Sequence, residues 1–257
     1  QILEKESELI RSYSDSGEIL NIIGTTYLEL RIYKKALNLF TKAIKKNPRA
    51  PEIYYNLGLT FHHQGNIDKA IDSYKKAIQL KKDYAEAYCN IGMTFIEKQE
   101  LSEALKNLRM AVNINPNYAI AYSHLGDIYY HKGNFNAAII NYQKALKLNP
   151  NLTEVYYNIS LAYQEKGGLT TAIKYCEKSI NLNPSNYKAH NNLGLIYIKS
   201  KKYKKAIEKF KEVLRLKPNY WQAYNNLGNT QKKLNQLHQA IISFSISLII
   251  FCFLLSI

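Results

Sequence analysis

Apolar and polar positions along this chain alternate between pairs of helical faces joined by short polar turns. Tyr54, Leu57, Gly58 and Phe61 follow one another at intervals of 3, 1 and 3 residues, which puts them on one side of a helix. Ile67, Ala70, Ile71, Tyr74, Ala77 and Ile78 mark one face of a second helix in the same way. His63-Gln64-Gly65-Asn66 lies between them, a polar turn whose glycine stops the first helix. Asn47-Pro48 ends the preceding helix, because proline disfavours helix in the residue before it.

The pattern returns every 34 residues. Glycine stands at 24, 58, 92, 126, 194 and 228, with Ser160 in the one gap. Alanine stands at 36, 70, 104, 138, 172, 206 and 240 without exception. A bulky residue follows four places later: Phe40, Tyr74, Leu108, Tyr142, Cys176, Phe210 and Phe244. Tyr27, Phe61, Phe95, Tyr129, Tyr163, Tyr197 and then Gln231 form another column. Small residues at constant positions let two helix axes approach while larger neighbours fill the sides. A fixed period of this size predicts a stacked repeat array in which each unit buries its core against its neighbours.

These columns resemble the tetratricopeptide repeat family. Tyr122, Leu125, Gly126, Tyr129, Ala138, Tyr142, Ala145 and Pro150 match its unit almost completely. The resemblance implies an all-α solenoid, a right-handed superhelix of seven helix-turn-helix units at 17–50, 51–84, 85–118, 119–152, 153–186, 187–220 and 221–254. Residues 1–16 have an amphipathic spacing (Ile2, Leu3, Leu9, Ile10, Tyr13) that suits a capping helix or the remnant of a preceding repeat. The repeats look similar to those of the peptide O-linked N-acetylglucosamine transferases, although no catalytic domain is visible in these residues. A fold shared by so many pathways implies binding of other chains more than chemistry.

The net charge is +15. Repeat 187–220 concentrates it: ten lysines and arginines stand against Glu208 and Glu212. This predicts attraction to an acidic partner there, or simply solvated lysine faces. Sequence-specific nucleic-acid recognition is not expected, since only Tyr203 interrupts the lysines and it sits in a core column.

Candidate chemistry is sparse. Cys89, Cys176 and Cys252 have neither zinc spacing nor a disulfide framework, so reduced structural thiols in a cytoplasmic chain are expected. No basic-then-apolar leader is visible. His190 replaces a packing tyrosine and reads as a core histidine, and His63 and His131 lie two repeats apart, too far to share a metal. Phosphate loops, nucleophile elbows and zinc-protease motifs are missing from the sequence, so neither a metal, a cofactor nor an enzymatic activity is expected. The glycosylation-like triplets Asn151-Leu152-Thr153 and Asn158-Ile159-Ser160 read as coincidental.

The family resemblance also implies a binding surface. In that family the first helix of each pair lines a concave groove. The column ahead of the constant Leu/Ile then faces into it: Asn56, Asn90, His124, Asn158, Asn192 and Asn226. An amide has donors and an acceptor, so a ladder of them could satisfy the backbone of an extended peptide. Tyr55, Tyr157, Asn191, Asn225, Asp127 and Asn229 flank the ladder. The family's carboxylate clamp for chaperone tails is not expected, because Tyr55, Cys89 or Ser123 stands where its early lysine would be.

Residues 240–257 carry no charge. Ala240, Ile241, Phe244, Ser247, Leu248 and Ile250 fit the inward columns, whereas Ile242, Ile246 and Ile249 replace polar residues. Eighteen residues of helix span about 27 Å, close to a hydrocarbon core of about 30 Å. Three readings remain open: a C-terminal membrane anchor with Lys232 and Lys233 on the cytosolic side, a misread or truncated gene end with the true sequence stopping near Phe244, or a helix docked on a partner. The expected function is a non-catalytic adaptor binding peptide segments in the groove. The alternatives are the substrate-recognition part of a larger enzyme, such as a glycosyltransferase, and a membrane-tethered assembly factor.

Overall fold

The computed structural model describes residues 16–255. The expected N-terminal helix therefore lies outside the described residues, apart from Ser16. That residue caps α1 (Gly17–Glu29) by accepting a hydrogen bond from the Ile19 amide at 3.3 Å. The other helices are α2 (Tyr33–Lys46), α3 (Pro51–His63), α4 (Ile67–Leu80), α5 (Ala85–Glu97), α6 (Leu101–Ile114), α7 (Ala119–His131), α8 (Phe135–Leu148), α9 (Thr153–Glu165), α10 (Leu169–Leu182), α11 (Tyr187–Lys199), α12 (Tyr203–Leu216), α13 (Trp221–Lys233) and α14 (Leu237–Leu255). No strand occurs among the described residues. The chain forms two compact units, one running to His124 and one from Leu125.

Every hairpin closes the same way. After α3, the Gly65 amide donates to the His62 carbonyl and the Asn66 amide to the Phe61 carbonyl, both at 2.9 Å. This is the Schellman arrangement, and it needs a left-handed residue at its centre. Gly65, Gly133 and Gly167 supply one at φ near +75°, as glycine does without strain. Arg31, Gln99, Lys201 and Asn235 take the same conformation with side chains attached. Between repeats, Asn115, Asn149 and Asn183 accept from the backbone amide two residues on, folding an Asx turn behind the second helix.

Within a hairpin, the glycine column has a definite neighbour. A Cβ added to Gly24 would lie 2.6 Å from the Phe40 ring, and one added to Gly194 would lie 2.6 Å from Phe210. Gly58, Gly126 and Gly228 meet Tyr74, Tyr142 and Phe244 in the same way, and Gly92 meets Leu108. The first helix thus packs its bare backbone onto a side chain that the second helix presents. The alanine column is buried in every repeat. In the first unit the core runs through Leu20, Phe40, Ala43 and Ile53; in the second it runs through Cys176, Leu193, Phe210 and Leu227.

α14 departs from the other second helices. They end at a residue equivalent to Ile250, where an asparagine or lysine opens the turn; here Phe251-Cys252 continues the helix to Leu255. Ala240, Ser243 and Ser247 face inward, Ser243 donating to the Gln231 side chain at 2.8 Å and Ser247 to the Trp221 carbonyl at 3.0 Å. Two expected inward residues do not: Ile241 and Leu248 are exposed, since among the described residues no helix lies against them. The anchor reading is also corrected, since among the described residues no helix is long and apolar enough to cross a membrane.

Candidate peptide-binding surface

The asparagine column is first of all a set of clasps between repeats. In the first unit, Asn56 Nδ2 donates to Asn21 Oδ1 at 3.0 Å and to Thr25 Oγ1 at 3.1 Å. Asn90 Nδ2 donates to the Tyr55 hydroxyl at 2.9 Å. In the second unit, Asn158 donates to Asp127 at 3.0 Å, Asn192 to Ser160 at 3.2 Å and Asn226 to Asn191 at 3.2 Å. Each bond joins a first helix to the first helix before it. The acceptor lies 35, 32 or 31 residues back, one residue before the equivalent position or two to three after it. That signal was present in the sequence: Asn21, Tyr55, Asp127 and Asn191 are the polar residues at those offsets.

The consequences differ along the column. Asn192 is buried, and its amide is turned toward Ser160 and the Cys176 thiol rather than outward. Asn90, Asn158 and Asn226 are half-buried, and each holds its clasp with one amide hydrogen. His124 is half-buried in the same column. Asn225 is half-buried and Asn229 exposed on α13. Asp127 accepts a second bond from Tyr142 at 2.7 Å, so a core tyrosine and a surface amide share one carboxylate.

Aromatic rings support the surface in both units. Tyr55 lies 5.0 Å from Tyr84 and 5.9 Å from Tyr74, centroid to centroid, and the Lys81 ammonium sits 4.7 Å above Tyr84. Burial raises the Tyr55 hydroxyl above the usual tyrosine value, so it stays protonated and can accept from Asn90. In the second unit, Tyr157 and Asn158 line a cleft of about 340 Å³ with Tyr187, Ser185 and two oppositely charged residues, Glu154 and Lys188. Burial pushes the Tyr157 hydroxyl up to about 12.

The lysines of repeat 187–220 are not all free. Arg215 holds Glu212 through two hydrogen bonds, at 2.9 and 2.6 Å. Lys217 lies over Tyr187 and Tyr220 and donates to the Tyr187 hydroxyl. Lys199, Lys201, Lys202, Lys204 and Lys205 are exposed together around the turn from α11 to α12. His190 is buried as expected, with Nε2 3.0 Å from the Pro184 carbonyl.

A family model described as TPR repeat matches residues 24–65, 58–95, 92–133, 126–167 and 194–235. Models described as tetratricopeptide repeat match 153–186 and 175–208. The chain belongs to the tetratricopeptide repeat family. Solved structures of similar fold include the APC/C heterotetramer Cut9–Hcn1, at 21% identity and TM-score 0.76. The match covers 87% of this chain, which spans only 44% of that one. PilF of Pseudomonas aeruginosa is similar at 18% identity and TM-score 0.74 over 87% of this chain and 99% of that one. YrrB, described as a tetratricopeptide repeat protein with an unusual peptide-binding site, is similar at 24% identity and TM-score 0.60, over 72% and 95% of the two chains. The comparison with curated proteins gave no match. At these identities the likeness carries the fold and nothing finer.

Proposed function

We propose that this chain is a non-catalytic scaffold that holds peptide segments of a partner protein against its row of first helices. The observation that carries the reading is the half-buried row of amides and phenols held by clasps from one repeat to the next. Tyr55, Asn56 and Asn90 form it in the first unit, and Asn158, Asn191 and Asn226 in the second, with the half-buried Tyr157 and Asn225 beside them. Groups fixed in this way lose little entropy on binding, and an amide has more donors and acceptors than one clasp uses. The peptide-binding description of YrrB supports the same reading. An acidic stretch in the partner would be drawn to the five lysines at the α11–α12 turn, as a long-range attraction that salt weakens. The free, buried thiols of Cys89 and Cys176 suit a reducing compartment such as the cytoplasm.

The test is a peptide-display selection against the whole chain, repeated with Tyr157→Ala and with Asn90→Ala. Enriched peptides should lose binding to at least one variant while its helical circular dichroism persists. Peptides that bind both variants as well as the parent would remove the row from the binding site. A selection that enriches nothing would sink the scaffold reading itself.

A further inference from the structure

Eight residues after the ring column of Tyr27, Phe61, Phe95, Tyr163 and Tyr197 stands a residue that decides what covers the ring. It is lysine in the first, second and sixth repeats, and there the ammonium sits over the ring face. Lys35 lies 5.0 Å from the Tyr27 centroid, Lys69 5.6 Å from Phe61 and Lys205 5.8 Å from Tyr197. In the fifth repeat the position is Thr171, and a second ring, Tyr175, stacks on Tyr163 with centroids 5.6 Å apart. The third repeat has Glu103 there. The negative face of a ring repels a carboxylate, and Glu103 turns instead to Lys106 at 3.9 Å. No ammonium of the described residues lies over Phe95; a cavity of about 640 Å³ adjoins its ring. Buried Ile91 and Phe95 of α5 line the cavity together with half-buried Ile78 of α4, and exposed Glu100 and Glu103 stand at the edge nearest α6.

We propose that this cavity over Phe95 takes the cationic side chain of an arginine or lysine from a partner polypeptide. The three lysine repeats define the chemistry, since the same place over the same ring column holds an ammonium in each of them. In the third repeat the charge of that residue is reversed, so the cation comes from another molecule and meets a carboxylate on arrival. The apolar lining suits a methylene stem, and the ring face with Glu100 and Glu103 suits the charged head. Glu100 is held only by Lys98 at 3.2 Å and Glu103 only by Lys106, both exposed ion pairs that hold a carboxylate weakly against an incoming cation. Lys75 and Lys106 also line the cavity and would repel a second cation. A single basic residue with uncharged or acidic neighbours therefore fits better than a polybasic run. None of the residues of the amide row lines the cavity, so binding here is independent of that row.

The test uses the whole chain with isotope-labelled phenylalanine rings, the Phe95 resonances being assigned through Phe95→Leu. It is titrated with the blocked tripeptide Gly-Arg-Gly and with Gly-citrulline-Gly, which keeps the shape and lacks the charge. The expected result is a saturable shift of the Phe95 ring signals with the arginine peptide, and binding about tenfold weaker or more with citrulline. Glu103→Lys restores the residue of the first, second and sixth repeats, so it should fill the site from within and abolish the response. Glu103 is exposed, so the thermal melt of that variant should be kept or raised. Glu103→Gln should weaken binding severalfold. The proposal is overturned if the Phe95 ring does not respond to the arginine peptide, if citrulline binds as well as arginine, or if Glu103→Lys binds as well as the parent. It is also overturned if tetramethylammonium or spermine binds more tightly than the arginine peptide, because the site would then belong to a small organic cation.

Discussion

The Ser160 hydroxyl and the Cys176 thiol lie against each other at the one place where the glycine column is interrupted. Ser160 donates to the Tyr157 carbonyl at 2.7 Å and accepts from Asn192 at 3.2 Å, while Cys176 donates to the Ala189 carbonyl at 3.1 Å. Six repeats give the second helix's bulky side chain room by removing Cβ from the first helix. The fifth adds a side chain on the first helix and shortens the one opposite. The two exceptions are therefore one exchange of volume, with hydrogen bonds replacing ring contact.

That exchange has a measurable signature. Cys176→Phe alone should cost about 1–3 kcal/mol by overpacking against Ser160. Combining it with Ser160→Gly should recover most of the loss, giving a coupling of about 1 kcal/mol or more in a denaturant double-mutant cycle. Additive single effects would show that the two residues are not a pair.

Gly194→Ala should destabilise by about 1–3 kcal/mol, because the new Cβ would lie 2.6 Å from the Phe210 ring. Gly194→Ala with Phe210→Leu should lose less than the sum of the two single changes, as read by thermal melts.

The left-handed turn residues point the other way. Gln99→Gly and Lys201→Gly should each stabilise by about 0.5–1 kcal/mol, since glycine adopts the same φ without a Cβ penalty. Gly65→Ala should destabilise although nothing lies within 4 Å of its added Cβ. A neutral Gly65→Ala would mean that backbone conformation does not limit these turns.

Thiol chemistry should separate the three cysteines. Burial pushes Cys89 and Cys176 up to about 12, so both are protonated and shielded at pH 8, whereas Cys252 is exposed. A thiol reagent should count one fast thiol in the folded chain and three in denaturant. Both groups also hold stability that is fully present below the unfolded thiol value near 9. It is lost as pH rises from there toward 12, because only the unfolded state gives up its protons in that window. Alkaline melts of Cys89→Ala and Cys176→Ala should fall less steeply than those of the parent.

The sequence by itself determined the helices, their pairing and their family, because a 34-residue period repeats every local signal several times over. It located Cys176, His190 and the alanine column in the core, since those positions are read against six equivalents. The candidate surface was legible as a column of residue types, not as a function. Only the tertiary structure showed that Asn56, Asn90, Asn158, Asn192 and Asn226 reach back to the preceding first helix, because the acceptors lie 31 to 35 residues away and change identity at each step. Asn192 is turned inward for the same reason: its partner is Ser160, which exists in one repeat alone. An apolar residue in an inward column is buried only if a neighbour exists to cover it, so Ile241 and Leu248 fit the pattern of Ile71 and Ile78 and yet face outward. Pattern specifies which face a side chain shares; the presence of the next helix decides whether that face is core or surface.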